Sequence, residues 1–135
     1  MNNQIRWLKA AFLAGIITDA LALIPMLYPP VAKFIWGFDK FSGSYFFAMG
    51  YSASLMAGWT LILIWAYKRP LERRFIALLT ILVIIGLIAT EIFAITNGSI
   101  NINKMISTLI LQIVLLGLFG FSFIITHKNS KEEHR

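Results

Sequence analysis

FIALLTILVIIGLIATEIFAIT, residues 75–96, is the stretch that decides the fold class. It contains one ionisable residue, Glu91, in an otherwise almost entirely apolar run. At a rise of about 1.5 Å per residue, a helix of this length crosses a hydrocarbon core of about 30 Å. Within lipid, a single segment satisfies its own backbone hydrogen bonds only as a helix. The stretch therefore predicts a transmembrane helix.

Three further apolar stretches of similar length accompany it, and together they fill the chain. Of the 135 residues, 59% are hydrophobic and 13% are charged, whereas soluble domains are about 45–50% apolar and about 25% charged. These values exclude a water-soluble monomer. The sequence predicts an all-α, polytopic membrane protein in which residues 1–135 form a single antiparallel bundle of four transmembrane helices. The predicted spans are about 5–27, 44–67, 75–96 and 104–126, followed by a short charged tail over 127–135.

Lysine and arginine residues are distributed unequally between the two ends of these spans. Basic residues that flank spans are retained on the cytoplasmic side, so we expect both termini in the cytoplasm and the protein in an inner (plasma) membrane. The formal net charge of +6 then predicts contact with anionic lipid headgroups and no nucleic-acid partner. The basic residues at the cytoplasmic end are Arg6, Lys9, Lys68, Arg69, Arg73, Arg74, Lys128, Lys131 and Arg135, and those at the other end are Lys33, Lys40 and Lys104.

The connections between the spans are short. The first span should end near Pro25, and Pro29 and Pro30 oppose its continuation as a helix beyond Tyr28. After it, the apolar segment 31–36 is expected to lie along the membrane interface. KRPLERR, residues 68–74, joins the second and third spans so tightly that these helices are predicted to be antiparallel neighbours.

Small residues predict how the helices pack, because they let backbones approach closely in lipid. The second span carries Gly50, Ser54 and Gly58 at positions i, i+4 and i+8, which gives this helix a stripe with very small side chains. The first span carries Gly15 on a similar small-residue face. We expect the two faces to meet, so that the first and second spans form the closest helix pair.

Polar residues occur in all four spans and are predicted to lie at a similar depth. Asp19 is expected about 5 Å outward of the midplane in the first span, and Glu91 about 8 Å outward in the third. Tyr51, Ser52 and Ser54 of the second span and Gln112 of the fourth fall in the same layer. The predicted ligand-binding residues are Asp19, Glu91, Gln112, Tyr51 and Ser54.

The two intramembrane carboxyl groups are the most informative members of this set. A charged carboxylate at such a depth costs on the order of 3 kcal/mol, and no Lys, Arg or His is predicted at the same level. Each carboxyl group must therefore be protonated, share a proton or bind a cation supplied from outside.

Other residue patterns that carry chemistry are missing from the sequence. The chain has no cysteine, which excludes disulfides and thiol catalysis. Its two histidines, His127 and His134, lie in the charged tail, and most glycines lie within apolar spans instead of a phosphate-binding loop. Asp19 and Glu91 alone are too few ligands for a metal site. The sequence thus predicts no metal and no cofactor, and it favours a role without enzymatic activity.

Three motifs carry a family resemblance: an Asp within the apolar first helix (GIITDALALIPM), the segment AMGYSASLMAGWTLILIWA, and the RPLERR hairpin. On these motifs the chain resembles a widespread family of small bacterial four-helix membrane proteins over almost its whole length. The resemblance implies the four-helix fold and no particular activity. In size and layout the chain is more distantly similar to DoxX-like proteins and to the EXPERA group, which includes sterol isomerases and sterol-binding receptors. No isomerase residue is carried over from that likeness.

Three functions remain open at this point. The leading hypothesis is an outward-opening polar pocket that binds a small lipophilic or cationic ligand, with Asp19 as its anchor. A second is a subunit of a proton- or cation-coupled transporter or channel, which at this size requires a homo-oligomer. A third is a structural partner of another membrane protein. A closed pocket around Asp19 and Glu91 within one chain favours the first, a symmetric oligomer axis lined by the same two residues favours the second, and a lipid-facing small-residue stripe favours the third.

Overall fold

The computed structural model describes residues 2–132, which contain five helices and no strand. The all-α class predicted from the sequence is confirmed. The tail predicted over 127–135 begins inside the last helix, and the side chains of Lys128, Lys131, His134 and Arg135 lie outside the described residues. The helices are α1 (Asn2–Leu27), α2 (Pro29–Trp36), α3 (Gly43–Lys68), α4 (Phe75–Thr96) and α5 (Ile102–Glu132).

Helices α1, α3, α4 and α5 are each long and apolar enough to cross a membrane. Their outer faces carry large apolar side chains that are more than half exposed, such as Leu21, Leu61, Phe93 and Ile113. Apolar surfaces of this extent are stable beside lipid and unfavourable beside water. The prediction of four apolar helices of membrane-spanning length is confirmed, and α2 is an additional short helix.

Proline residues set the junction between α1 and α2. Pro25 lies inside α1, which continues to Leu27 although proline removes one backbone hydrogen bond. The backbone leaves the helical conformation at Tyr28, with φ −121° and ψ 99°, and Pro29 and Pro30 begin α2. Proline suits the first turn of a helix because its fixed φ is already helical and its missing N–H is not needed there. The break predicted near Pro25 therefore occurs at Tyr28.

The short helix α2 packs against α1 and α5, and its Ala32 is completely buried. The end of the long helices beside it is called the α2 end below. Lys104 Nζ of α5 donates a 3.3 Å hydrogen bond to the Phe34 carbonyl. The helix ends at Gly37, whose left-handed backbone (φ 76°) is readily adopted by glycine. The apolar segment between the first two long helices is thus a helix held against α1 and α5.

α1 is central to the helix packing, because it contacts each of the other four helices. Its most extensive contact is with α3, and the next is with α5. Leu8 and Phe12 of α1 are fully buried, and Phe12 meets Phe119 of α5 edge-to-face with ring centroids 6.0 Å apart. The Ser122 hydroxyl of α5 lies 2.7 Å from the Leu118 carbonyl of its own helix and 3.1 Å from the Trp7 carbonyl of α1, so its one proton is shared between the two acceptors. The close-packed core therefore forms around the N-terminal half of α1.

The contact between α1 and α3 depends on one close approach. A Cβ atom placed on Gly15 would lie 3.0 Å from Leu63 Cδ1 of α3 and 3.1 Å from Phe119 Cζ of α5. Ordinary van der Waals contacts of such an atom are 3.4–4 Å. The absence of a side chain at Gly15 therefore allows Leu63 and Phe119 to fill the space beside the α1 backbone.

The stripe of Gly50, Ser54 and Gly58 lies outside this contact. A Cβ atom on Gly50 or Gly58 would meet nothing within 4 Å, and Ser54 is exposed. The residues of α3 that are buried are instead Ala53, Thr60, Leu63 and Ala66. α3 meets α1 through this neighbouring face because it carries Leu63, the side chain that fits beside Gly15.

α3 and α4 are joined by the short connection over residues 69–74 but barely touch each other along their lengths. At the connection, the Arg73 guanidinium lies 3.6 Å from the centre of the Trp65 ring and donates a hydrogen bond to the Trp65 carbonyl. Beyond it, α3 packs mainly on α1 and α4 packs mainly on α5. The two helices are neighbours along the chain without forming a packed pair, and a gap separates them.

Candidate functional site

A cavity of about 480 Å³ lies between α1, α3, α4 and α5. Volumes of about 300–1,000 Å³ are typical of small-molecule sites. The cavity exists because α3 and α4 diverge while α1 and α5 close the space behind them. Its walls are mainly apolar and include Gly15, Met26, Leu55, Met56, Trp59, Leu63, Val83, Ile84, Leu87, Leu115 and Phe119.

The cavity is elongated along the helices. It extends from Gly15 to Met26 on α1 and from Ser52 to Leu63 on α3. A separation of about eleven residues corresponds to about 16 Å along a helix, which is about half of a hydrocarbon core of about 30 Å. Met26 lies next to the last residue of α1, so the chamber reaches the α2 end of the bundle.

Of the described residues that line this cavity, Asp19 is the one with an ionisable side chain. Its side chain is half-buried on α1, between the levels of Gly15 and Met26. Asp19 accepts no hydrogen bond from any residue that the structure describes. The ion pairs among the described residues are Lys33–Asp39 and Arg69–Glu72, and neither includes Asp19. An unpaired carboxyl group in an apolar chamber requires a partner that the surrounding helices do not supply.

The other polar side chains of the cavity contribute weaker groups. Ser52 Oγ donates a 2.8 Å hydrogen bond to the Ala48 carbonyl, and Thr80 Oγ1 donates a 2.8 Å hydrogen bond to the Ile76 carbonyl. Both hydroxyl oxygens keep lone pairs that can accept a further hydrogen bond. Trp59 Nε1 is buried and has no acceptor among the described residues. The Asp19 carboxyl group is therefore the strongest hydrogen-bonding group in the cavity wall.

Glu91 and Gln112 lie beside the cavity and pair with each other. Gln112 Nε2 donates a 2.6 Å hydrogen bond to Glu91 Oε1, which links α5 to α4. Glu91 is one helical turn after Leu87, and Gln112 is one turn before Leu115, and both leucines line the cavity. The two polar residues thus form an interhelical contact one turn away from the cavity wall.

Tyr51 and Ser54 lie on the exposed surface of α3. The Tyr51 side chain is 64% exposed, and its ring stacks on that of Phe47 at 6.4 Å between centroids. Ser54 Oγ donates a 3.0 Å hydrogen bond to the Gly50 carbonyl of the same helix. The five predicted ligand-binding residues therefore occupy three separate places: the cavity, the interhelical pair and the exposed face of α3.

Several cavity residues were not identified from the sequence. Met56, Trp59 and Leu63 follow Ser52 at i+4, i+7 and i+11, which is the spacing of one helix face. An apolar face of this kind is typical of ordinary core packing, so the spacing alone does not indicate a cavity. The face becomes a cavity wall because α3 diverges from α4.

The described residues contain no group of three or more His, Asp or Glu side chains that could hold a metal ion. Comparison of the chain with protein-family models, with curated proteins and with solved structures gives no match. Inference about function therefore rests on the geometry and chemistry of the cavity.

Proposed function

We propose that this chain is a small integral membrane protein that binds a small lipophilic or cationic ligand in the cavity, with Asp19 as the anchor. The observation that carries the proposal is an apolar chamber with one unpaired carboxyl group. Apolar walls favour an apolar ligand body. A carboxylate in a poorly hydrated site favours a positive charge or a strong hydrogen-bond donor. A lipophilic amine combines both features and is the ligand class that fits best.

The gap between α3 and α4 supports access from the bilayer. Leu55 of α3 and Val83 and Leu87 of α4 line the cavity and are also exposed on the outer surface. The sparse contact between these two helices leaves that side of the chamber open. We infer that the ligand enters sideways from the lipid.

We further propose that the four long helices form an antiparallel bundle with both termini in the cytoplasm of a bacterial cell. The unequal distribution of Lys and Arg supports this orientation. In this orientation the α2 end faces outward and Asp19 lies in the outer half of the membrane. Membership in the family of small bacterial four-helix membrane proteins is likewise a proposal, supported by the motifs quoted above.

Two matched fluorescent probes test the binding proposal. The first is a dansyl group on a dodecyl chain that ends in a primary ammonium, and the second is the same molecule with the amine acetylated. Energy transfer from Trp59 to the dansyl group reports a probe in the cavity, because Trp59 forms part of the wall. Phenylalanine at the other three tryptophans, Trp7, Trp36 and Trp65, makes Trp59 the sole donor.

Asp19→Asn is expected to weaken binding of the ammonium probe by about ten- to hundred-fold. This range corresponds to the about 1.5–3 kcal/mol of a hydrogen bond to a charged group. Binding of the acetylated probe should not change. Asp39→Asn is the matched control, because Asp39 pairs with Lys33 outside the cavity. Equal affinity of wild type and Asp19→Asn for the ammonium probe would refute the assignment of Asp19 as the anchor.

The sideways route has its own test, for which the absence of native cysteines is an advantage. A bifunctional thiol linker between cysteines at Leu55 and Val83 should bridge the gap between α3 and α4 and slow binding of the ammonium probe. A linker between cysteines at Leu61 and Leu82, exposed residues at equal distances from the α3–α4 connection that do not line the cavity, is the control that should leave the binding rate unchanged. Unaltered binding with the gap bridged would contradict entry from the lipid.

A second candidate function is that of a structural partner, and the open stripe of Gly50, Ser54 and Gly58 favours it. A photoreactive group attached to a single cysteine at Ser54 should then cross-link this chain to another membrane protein in native membranes, whereas the same group at the exposed Ile113 of α5 should not. Absence of a cross-linked product from both positions would remove the support for this candidate.

A further inference from the structure

The contact between Glu91 and Gln112 leaves two oxygen atoms without a donor. Gln112 is 7% exposed, and its Nε2 donates to Glu91 Oε1 at 2.6 Å. The other carboxyl oxygen, Glu91 Oε2, and the amide oxygen, Gln112 Oε1, are buried and have no hydrogen-bond partner among the described residues. Buried polar atoms without partners are rare in native structures, so this pair of acceptors requires an explanation.

An ionised Glu91 cannot provide that explanation. A carboxylate only accepts hydrogen bonds, and so does an amide oxygen. With Glu91 ionised, the site therefore contains two buried acceptors and lacks the donor that they need. A proton on Glu91 Oε2 removes the conflict, because the resulting hydroxyl group can donate to Gln112 Oε1. The acid and the amide are then joined by two hydrogen bonds, and each of the four atoms is used.

The helices around the pair supply no alternative positive group among the described residues. On α5, Lys104 is eight residues before Gln112, about 12 Å along the helix, and its Nζ donates to the Phe34 carbonyl. On α1, the ionisable side chain that faces the neighbouring cavity is Asp19, which is itself acidic. The spanning part of α3 faces the cavity with Ser52 and Trp59 and brings no charge.

We propose that Glu91 and Gln112 form a proton-binding site, separate from the ligand cavity, in which Glu91 carries the proton and the acid–amide pair joins α4 to α5. The site stands independently of ligand binding at Asp19. Loss of the proton breaks one of the two hydrogen bonds and leaves a charge at the α4–α5 contact. Because Leu87 and Leu115 lie one turn away, this loss loosens the contact beside the cavity wall.

Infrared spectroscopy of the protein in a detergent that has no carbonyl group tests the proton directly. At neutral pH, the Asp19→Asn variant should show the carbonyl absorption of a protonated carboxylic acid, and this band should disappear in Asp19→Asn/Glu91→Gln. Glu72→Gln in the same background is the control that keeps the band, because Glu72 is an exposed partner of Arg69. Absence of the band from Asp19→Asn, or its persistence without Glu91, would overturn the proposal.

Thermal stability gives a second readout that uses the folded protein. Glu91→Gln retains two hydrogen bonds to Gln112, since an amide can donate where the protonated acid did, so it should match the wild-type melting temperature at low pH. In the Asp19→Asn background, the melting temperature should fall as the pH rises through the titration of Glu91, and Glu91→Gln should abolish this fall. A melting temperature that depends on sodium concentration and not on pH would identify a metal cation as the occupant and overturn the proposal.

Discussion

Gly15 is expected to be the glycine in the spans that tolerates a side chain least. In Gly15→Ala, the added Cβ atom would lie 3.0 Å from Leu63 Cδ1 and 3.1 Å from Phe119 Cζ, against 3.4–4 Å in an ordinary contact. Both neighbours must move by a few tenths of an ångström. Overpacking of this kind costs about 1–3 kcal/mol. Alanine also gains up to about 1 kcal/mol over glycine in helix propensity, so the packing cost has to be isolated by a control.

Gly58→Ala is the matched control, because a Cβ atom on Gly58 meets nothing within 4 Å. Both variants gain the same helix propensity, and the difference between them is the packing cost. We expect Gly15→Ala to have a free energy of unfolding about 1–3 kcal/mol below that of Gly58→Ala. Reversible unfolding in detergent with increasing sodium dodecyl sulfate, followed by circular dichroism, measures both values.

A double-mutant cycle identifies the neighbour that is responsible. Leu63→Ala removes the atom that lies nearest to the position of the new Cβ atom. In that background, Gly15→Ala should cost less than in the wild type, because residues in contact are energetically coupled. Equal stabilities of Gly15→Ala and Gly58→Ala, or a cost of Gly15→Ala that Leu63→Ala leaves unchanged, would refute the close approach of α1 and α3 at this position.

Three further predictions concern the packing and the orientation. Ser54→Leu should leave thermal stability in detergent unchanged, because Ser54 is exposed and the neighbouring glycine positions are open; a clear loss would place the stripe within the bundle. Ser122→Ala should lower the free energy of unfolding by about 0.5–1.5 kcal/mol, because it removes a fully buried hydroxyl shared between the Trp7 carbonyl of α1 and the Leu118 carbonyl of α5. Thr90→Val should have a smaller effect, because the Thr90 hydroxyl is exposed and bonds only within its own helix. Reporter fusions at Asn101 and after Arg135 should report opposite sides of the membrane, and a shared side would contradict the proposed orientation.

The number and nature of the long helices were predictable from the sequence because the hydrophobic requirement of the membrane acts on each segment separately. A run such as residues 75–96 is apolar on all sides, so its length and composition identify it without reference to any partner. The same property hides the packing. When every face of a helix is apolar, hydrophobicity does not indicate which face meets a neighbour. Small residues are then the remaining signal, and Gly15 and the stripe at Gly50 and Gly58 carry it equally in the sequence.

In the structure, Gly15 and the stripe differ in what lies opposite them. Gly15 faces two large side chains, Leu63 and Phe119, whereas the glycines of the stripe face open space. Sequence spacing also could not predict that α3 and α4 diverge, because a short connection fixes only the end where the helices are joined. That divergence depends on α3 packing against α1 and α4 packing against α5, which are contacts between segments far apart in the chain.

The candidate site was predicted in part. Asp19 stood out as an acidic residue within an apolar span, and the structure gives it an apolar chamber as its surroundings. Depth along the helix was a weaker guide for the other residues, since residues at one depth can point in different directions. Tyr51 and Ser52 are adjacent in the chain, yet Ser52 lines the cavity and Tyr51 does not. The direction of each side chain depends on how its helix is rotated within the bundle.

A structure of the protein in its native lipid is the most direct test of the proposed function, because the cavity beside Asp19 is large enough for a bound molecule to be seen. We predict density within the chamber, with a cationic or hydrogen-bond-donating group in contact with the Asp19 carboxyl group and an apolar body against Trp59 and Phe119. A chamber that contains only water, or a lipid chain with no polar group beside Asp19, would contradict the proposal.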